Sequence, residues 1–152
     1  MEKYDCLKIE NQLCFPLYAC SKEVVRRYKP FLDWIDLTYT QYITMMILWA
    51  EHEEDPASCI NVKSLGKRLF LDSGTLTPLL KKLEMKQLIE RHRDPSDERN
   101  VLVRATDKGM VLREKALNIP ASVGKCIPLS PEESETLYIL LYKVLGGLSE
   151  NS

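Results

Sequence analysis

Apolar residues recur at helical spacing in six stretches of this chain and alternate as in strands in two. Residues 9–28 place Ile9, Leu13, Leu17, Cys20, Val24 and Tyr28 on one side, predicting a first helix. Pro16 interrupts the pattern, because proline lacks the amide that would bond Gln12 and its ring crowds that carbonyl. The helix is therefore expected to begin near Phe15 or to kink close to Cys14, and Lys29-Pro30 to close it. Thr38-x-x-Gln41 reads as a capping box, with Leu37 and Tyr42 spaced as a hydrophobic staple. The helix it opens runs through Ile43, Met46, Ile47 and Trp49 and is too apolar all round for a surface helix. A loop over 51–58, containing Asp55-Pro56, leads to Asn61 as the next cap.

Residues 62–106 form the stretch that the others serve. Val62, Leu65 and Leu69 mark a third helix, and Asp72 caps a fourth that carries small hydroxyl residues and lysines along its exposed side. Two β-like runs, 88–93 and 100–105, flank the charged turn 94–99. Helix, tight turn, helix and hairpin is the order of a winged helix-turn-helix, whose second helix enters the DNA major groove. Charge agrees: this stretch holds ten Lys/Arg against six Asp/Glu, +4, in a chain of net charge −1. A basic segment in an otherwise acidic chain is the footprint of a phosphate-binding surface.

Beyond the hairpin, Thr106 caps a helix expected to end before Pro120, with 121–129 as a connector. Ser130-Pro131-Glu132-Glu133 then opens a last helix in the preferred way. Its stripe of Leu137, Leu140, Leu141, Val144, Leu145 and Leu148 suits a dimer interface, since two winged domains on a two-fold axis match a palindromic operator in double-stranded DNA.

At 152 residues, 45% hydrophobic and 28% charged, the chain is expected to be one soluble domain. No apolar run reaches the ~18 residues of a membrane span. Met1-Glu2-Lys3-Tyr4-Asp5 lacks the order of a signal peptide, so the expected location is cytoplasmic, with Cys6, Cys14, Cys20, Cys59 and Cys126 as thiols. The cysteines form no CxxC pair, and neither a metal site nor a cofactor is expected.

With these residues laid out, the chain resembles the MarR family of winged-helix regulators, and within it the organic-hydroperoxide-sensing repressors, OhrR. The pieces that carry the resemblance are residues 11–18 (Asn-Gln-Leu-Cys-Phe-Pro-Leu-Tyr), Tyr28-Lys29-Pro30, residues 38–42 (Thr-Tyr-Thr-Gln-Tyr), residues 71–78 and Asp97-Glu98-Arg99. The resemblance implies a mainly α fold with a small β-hairpin wing, a single domain over 1–152. Dimerisation helices fall at 1–35 and 107–152 and the winged helix at 36–106. It implies Cys14 as the peroxide-reactive thiol, Tyr28 and Tyr39 as its hydrogen-bonding partners, and Cys126 as a candidate resolving thiol. Phenol O–H donors stabilise a thiolate without importing a full charge, and a helix beginning adds a favourable field. Leu13, Phe15, Leu17 and Trp49 would make an apolar surround for an organic peroxide. Ser73, Thr75, Thr77, Lys81 and Lys82 are the expected DNA contacts on the reading helix. Arg99, oriented by Asp97, is the expected minor-groove contact. The sequence departs from the family pattern at Pro16, at Thr40, and in a longer 51–61 loop. The implied function is a homodimeric, redox-switched repressor, not an enzyme. The alternatives are a repressor released by an aromatic or phenolic ligand and a thiol peroxidase.

Overall fold

The structure, a computed structural model, describes residues 3–150. The expected domain limits at 1 and 152 lie outside the described residues. The chain divides into two compact units, one up to Ile119 and one from Pro120 onward.

Two short 3-10 turns, Asp5–Leu7 and Ile9–Asn11, come first, the second of them where the sequence pattern placed the beginning of the first helix. The Asn11 side-chain amide donates to the Asp5 carbonyl at 2.8 Å, and that of Gln12 donates to Cys6. Helix α1 is Cys14–Trp34. Pro16 is its third residue, where a helical amide has no partner, so the proline removes no bond and α1 starts at Cys14. The stop expected at Lys29-Pro30 does not occur. Pro30 lies inside α1, whose continuation brings Leu32 into the core, followed by Ile35 and Leu37.

Helix α2, Tyr39–Glu54, opens on the expected capping box. Thr38 Oγ1 accepts from the Gln41 amide at 3.3 Å, and Gln41 Oε1 accepts from the Thr38 amide at 3.1 Å. Both members of the expected staple, Leu37 and Tyr42, are buried. Strand β1, Ile60–Asn61, is absent from the sequence reading because two residues carry no alternation. Asn61 caps helix α3, Val62–Leu69, accepting from Lys63 N at 2.7 Å. Asp72 caps helix α4, Ser73–Met85, accepting from Thr75 N at 2.8 Å. Gly66 makes the close approach of α3 to α4 possible: a Cβ there would sit 3.0 Å from the Leu71 carbonyl oxygen.

Strand β2, Ile89–Asp94, pairs antiparallel with β3, Asp97–Ala105, in the register Ile89↔Ala105 to Arg93↔Val101. Strand β1 adds to the other edge of β3 through Ile60↔Val103, giving a three-stranded sheet in the order β1-β3-β2. The expected turn 94–99 is tighter than predicted, since Asp97, Glu98 and Arg99 already belong to β3. Helix α5 is Asp107–Ala116. Part of the expected connector is helix α6, Ile119–Gly124, with Pro120 in its first turn, where proline is tolerated. Helix α7, Pro131–Ser149, begins on its predicted capping box and buries no residue.

Met45, Leu48, Leu65, Leu76, Leu80, Leu83, Ile89 and Val103 form the centre of the core. Trp49 is buried among them and donates Nε1–H to the Gly109 carbonyl at 2.9 Å. Three helices stop on left-handed residues that are not glycine: Asp36 (φ 54°), Phe70 (φ 54°) and Gln87 (φ 61°). Each is followed by an amide that reaches back to the helix: Leu37 to Leu32, Leu71 to Gly66 and Leu88 to Leu83. This is the Schellman arrangement, and its apolar residue beyond the stop supplies the packing that holds a side chain in an unfavourable φ.

Candidate functional site

Cys14 is the first residue of α1 and is exposed. Leu13 and Phe15 beside it are also exposed. Trp49, expected near the sulfur, is instead in the core.

Tyr28 and Tyr39 do come together, with ring centroids 5.0 Å apart, and Tyr42 joins them 5.8 Å from Tyr28. Tyr42 also stands edge-on to Trp49 at 6.3 Å. Burial raises the Tyr28 phenol above its ordinary value, with a further push from Tyr39, and burial alone raises Tyr39. Tyr42 is pushed up to about 12, by burial first and then by its two neighbours. All three phenols therefore keep their protons at neutral pH and remain donors. The sequence reading missed Tyr42, which the staple pattern had assigned to packing alone.

The expected bonds from these tyrosines to Cys14 are not formed within one chain. Cys14 and Tyr28 lie on one helix, fourteen residues apart. At 1.5 Å per residue that is about 21 Å of axial rise, far beyond the reach of a tyrosine. Cys126, in the second unit, is an exposed thiol with Sγ 3.8 Å from the Ser122 carbonyl oxygen.

On α4, Leu76, Leu79, Leu80 and Leu83 are buried, and Ser73, Thr75, Thr77, Lys81 and Lys82 are exposed. The Thr75 hydroxyl is held by the Asp72 carboxylate at 3.3 Å, so part of its hydrogen-bonding capacity serves the cap. Lys82 lines an open cleft with Asp33 and Asp36. At the wing tip, Asp97 Oδ1 accepts from the Arg99 amide at 3.1 Å and lies 3.7 Å from Arg99 Nε. The Arg99 side chain is 94% exposed, the posture of a group that reaches outward. Arg93, which the sequence reading passed over, braces this tip by donating to the Glu98 carbonyl at 2.6 Å. The signal was its place one turn residue ahead of the tip on the opposite strand.

Residues 26–116 match the family model described as transcriptional regulator SarA/Rot. Over 150 residues, the chain is 45% identical to the organic hydroperoxide resistance transcriptional regulator of Bacillus subtilis, covering 99% of this chain and 98% of that protein. The chain belongs to the MarR family of regulators, in its OhrR branch. Among solved structures, this MarR-family chain is similar to reduced AbfR bound to DNA, with a TM-score of 0.77 and 28% identity over 98% of each chain. AbfR is from Staphylococcus epidermidis. Against the disulfide-formed state of AbfR the TM-score is 0.63, at 29% identity over 96% of each chain. The MarR-family fold is a winged helix, as the sequence order predicted. Its relatives are transcriptional regulators and not enzymes, which sets the thiol peroxidase reading aside. No helix of the described residues is long and apolar enough to cross a membrane.

Proposed function

We propose that this chain is a cytoplasmic, homodimeric repressor that grips a palindromic operator while Cys14 is reduced and lets go when an organic hydroperoxide oxidises it. The observation that carries this reading is the exposed Cys14 thiol on the first turn of α1, in a chain 45% identical along its length to an organic hydroperoxide resistance regulator.

The thiolate attacks the outer peroxide oxygen: an S–O bond forms, the O–O bond breaks, and the leaving alkoxide takes a proton and departs as an alcohol. Cys14 is then a sulfenic acid. The Cys126 thiol attacks that sulfur, water leaves, and a disulfide between subunits closes. A small cellular thiol can take the same role. Because α1 holds Cys14 and Tyr28 too far apart, the phenols that meet each sulfur are Tyr28 and Tyr39 of the partner subunit. The site is thus shared across the dimer, and its oxidation alters how the two reading helices are held. Exposed apolar residues on the first turns of α1 and along α7 supply the dimerisation layer. They include Leu13, Phe15, Leu140 and Leu148. Ser73, Thr75 and Thr77 meet phosphates or base edges in the major groove, with Lys81 and Lys82 adding charge, and Arg99, set by Asp97, enters the minor groove.

A gel-shift series tests the reading. Wild type is expected to release its operator with cumene hydroperoxide and to recover it with reductant, whereas Cys14→Ser stays bound throughout. Release of Cys14→Ser by peroxide would remove the redox model. Release of both proteins by a phenolate, without oxidant, would put ligand control in its place. Cys126→Ser is expected to lose the covalent dimer on a non-reducing gel after oxidation; an unchanged dimer would eliminate Cys126 as resolver.

A further inference from the structure

The end of α4 away from Ser73 is fastened to the elbow between α1 and α2. Lys86, which follows α4, donates Nζ–H to the Asp36 carbonyl and stands 3.1 Å from Asp36 Oδ2. Asp36 is the left-handed residue of the α1 stop, and the amides of Asp36 and Leu37 bond back to Asp33 and Leu32 at 3.2 and 3.0 Å. Its carbonyl is therefore a fixed point of the elbow. On the other side, the Lys86 carbonyl accepts from Lys108 Nζ at 2.9 Å, and the Gln87 carbonyl accepts from Thr106 Oγ1 at 2.6 Å. Thr106 and Lys108 begin α5. Beside this junction lies a cleft of about 750 Å³, lined by Asp33, Leu37, Thr38, Gln41, Lys82 and Lys86 among others. The buried leucines of α4 seat the helix on the core, and beside the open cleft it is the lysine that fastens its C-terminal end to the elbow.

We propose that Lys86 is a positioning residue whose bond to the Asp36 carbonyl sets the tilt of α4 and carries displacement of α1 to the reading helix. This rests on the redox reading above, which places the triggering sulfur on α1. The lever is long. Thirteen residues of α4 span about 18 Å, so a turn of about 6° about the fastened end moves Ser73 by about 2 Å, enough to break hydrogen bonds to DNA. A charged donor on a backbone carbonyl suits this role, being strong and independent of the acceptor's side chain.

The test uses full-length protein and a palindromic duplex selected from random DNA by the reduced wild type, with a scrambled duplex beside it. Lys86→Met keeps the aliphatic stem and removes the donor. Asp36→Gly keeps the carbonyl and the left-handed turn but removes the carboxylate. In the reduced state, Lys86→Met is expected to bind the selected duplex at least about five-fold more weakly, with the scrambled duplex and the salt slope unchanged. Lys86→Arg is expected to restore binding, and Asp36→Gly to stay within about two-fold of wild type. After one equivalent of cumene hydroperoxide, wild type is expected to weaken about ten-fold or more and Lys86→Met less than about three-fold. Reduced Lys86→Met binding like wild type would overturn the proposal. So would equal weakening on both duplexes with a salt slope lower by about one, the mark of a lost phosphate contact. If wild type ignores peroxide, the redox reading falls, and the reduced-state comparison still decides what Lys86 does.

Discussion

Cys14 and Tyr28 share one unbroken helix and for that reason never meet in one chain: fourteen residues of α1 separate them by about 21 Å. On the function proposed above, a sensor built from both is shared between two subunits. The prediction is specific to mixed dimers. When Cys14→Ser subunits are paired with Tyr28→Phe/Tyr39→Phe subunits, each heterodimer keeps one sulfur facing two intact phenols. Sulfenate formation at that sulfur, followed by mass spectrometry, is expected at the wild-type rate. A rate matching the Tyr28→Phe/Tyr39→Phe homodimer would place the phenols in the same chain as the sulfur.

The bond from Trp49 to the Gly109 carbonyl ties α2 to α5 in the core. Trp49→Phe preserves most of the apolar contact and removes the indole donor, while the carbonyl, inside α5, keeps its helical partner. The net loss of one such hydrogen bond costs about 0.5–1.5 kcal/mol. Urea unfolding of the reduced protein is expected to show a loss in that range, and an unchanged midpoint would mean that water replaces the indole.

Alkaline pH tests the tyrosine cluster. Tyr42 is 2% exposed, and its phenol is pushed up to about 12 in the fold, against an ordinary value of 10.0. A raised folded value means that the fold disfavours the phenolate. Its contribution is full below pH 10 and is lost as pH rises from about 10 toward 12. Stability by urea titration is therefore expected to fall across that window in wild type and to fall less in Tyr42→Phe. Equal slopes would show that the phenol ionises freely in the folded protein.

Phe70 stops α3 with φ 54° while 56% exposed, so its ring gives little packing in return for the backbone strain. Phe70→Gly relieves the left-handed conformation and is expected to raise stability by roughly 0.5 kcal/mol, net of the greater freedom of glycine in the unfolded chain. A lower melting temperature would mean that the exposed ring makes contacts worth more than the strain.

The caps were the most legible part of this sequence. Thr38, Asn61, Asp72, Thr106 and Ser130 all start helices where their side chains predict, because a capping oxygen acts on amides two or three residues away. Stops were harder to read. Asp36, Phe70 and Gln87 do the work usually given to glycine, and what holds them is the burial of Leu37, Leu88 and their neighbours, a tertiary effect. Of the prolines, Pro16 marked the start of α1 within one residue and Pro120 lies beyond the end of α5, as expected, whereas Pro30 misled because the burial of Leu32 carries the helix through it. The exposed face of α4 and the wing tip could be picked out from local motifs together with the family resemblance. Tyr42 and the Lys86 junction could not, since both depend on elements far apart in the chain.

The central claim is that the state of one sulfur decides whether DNA is held. It is tested most directly by titrating the operator-bound protein with cumene hydroperoxide and reading, on the same samples, the fraction of DNA released and the fraction of Cys14 oxidised by peptide mass spectrometry. The account predicts that the two fractions rise together and fall together on adding reductant. DNA released while Cys14 remains an unmodified thiol would contradict it.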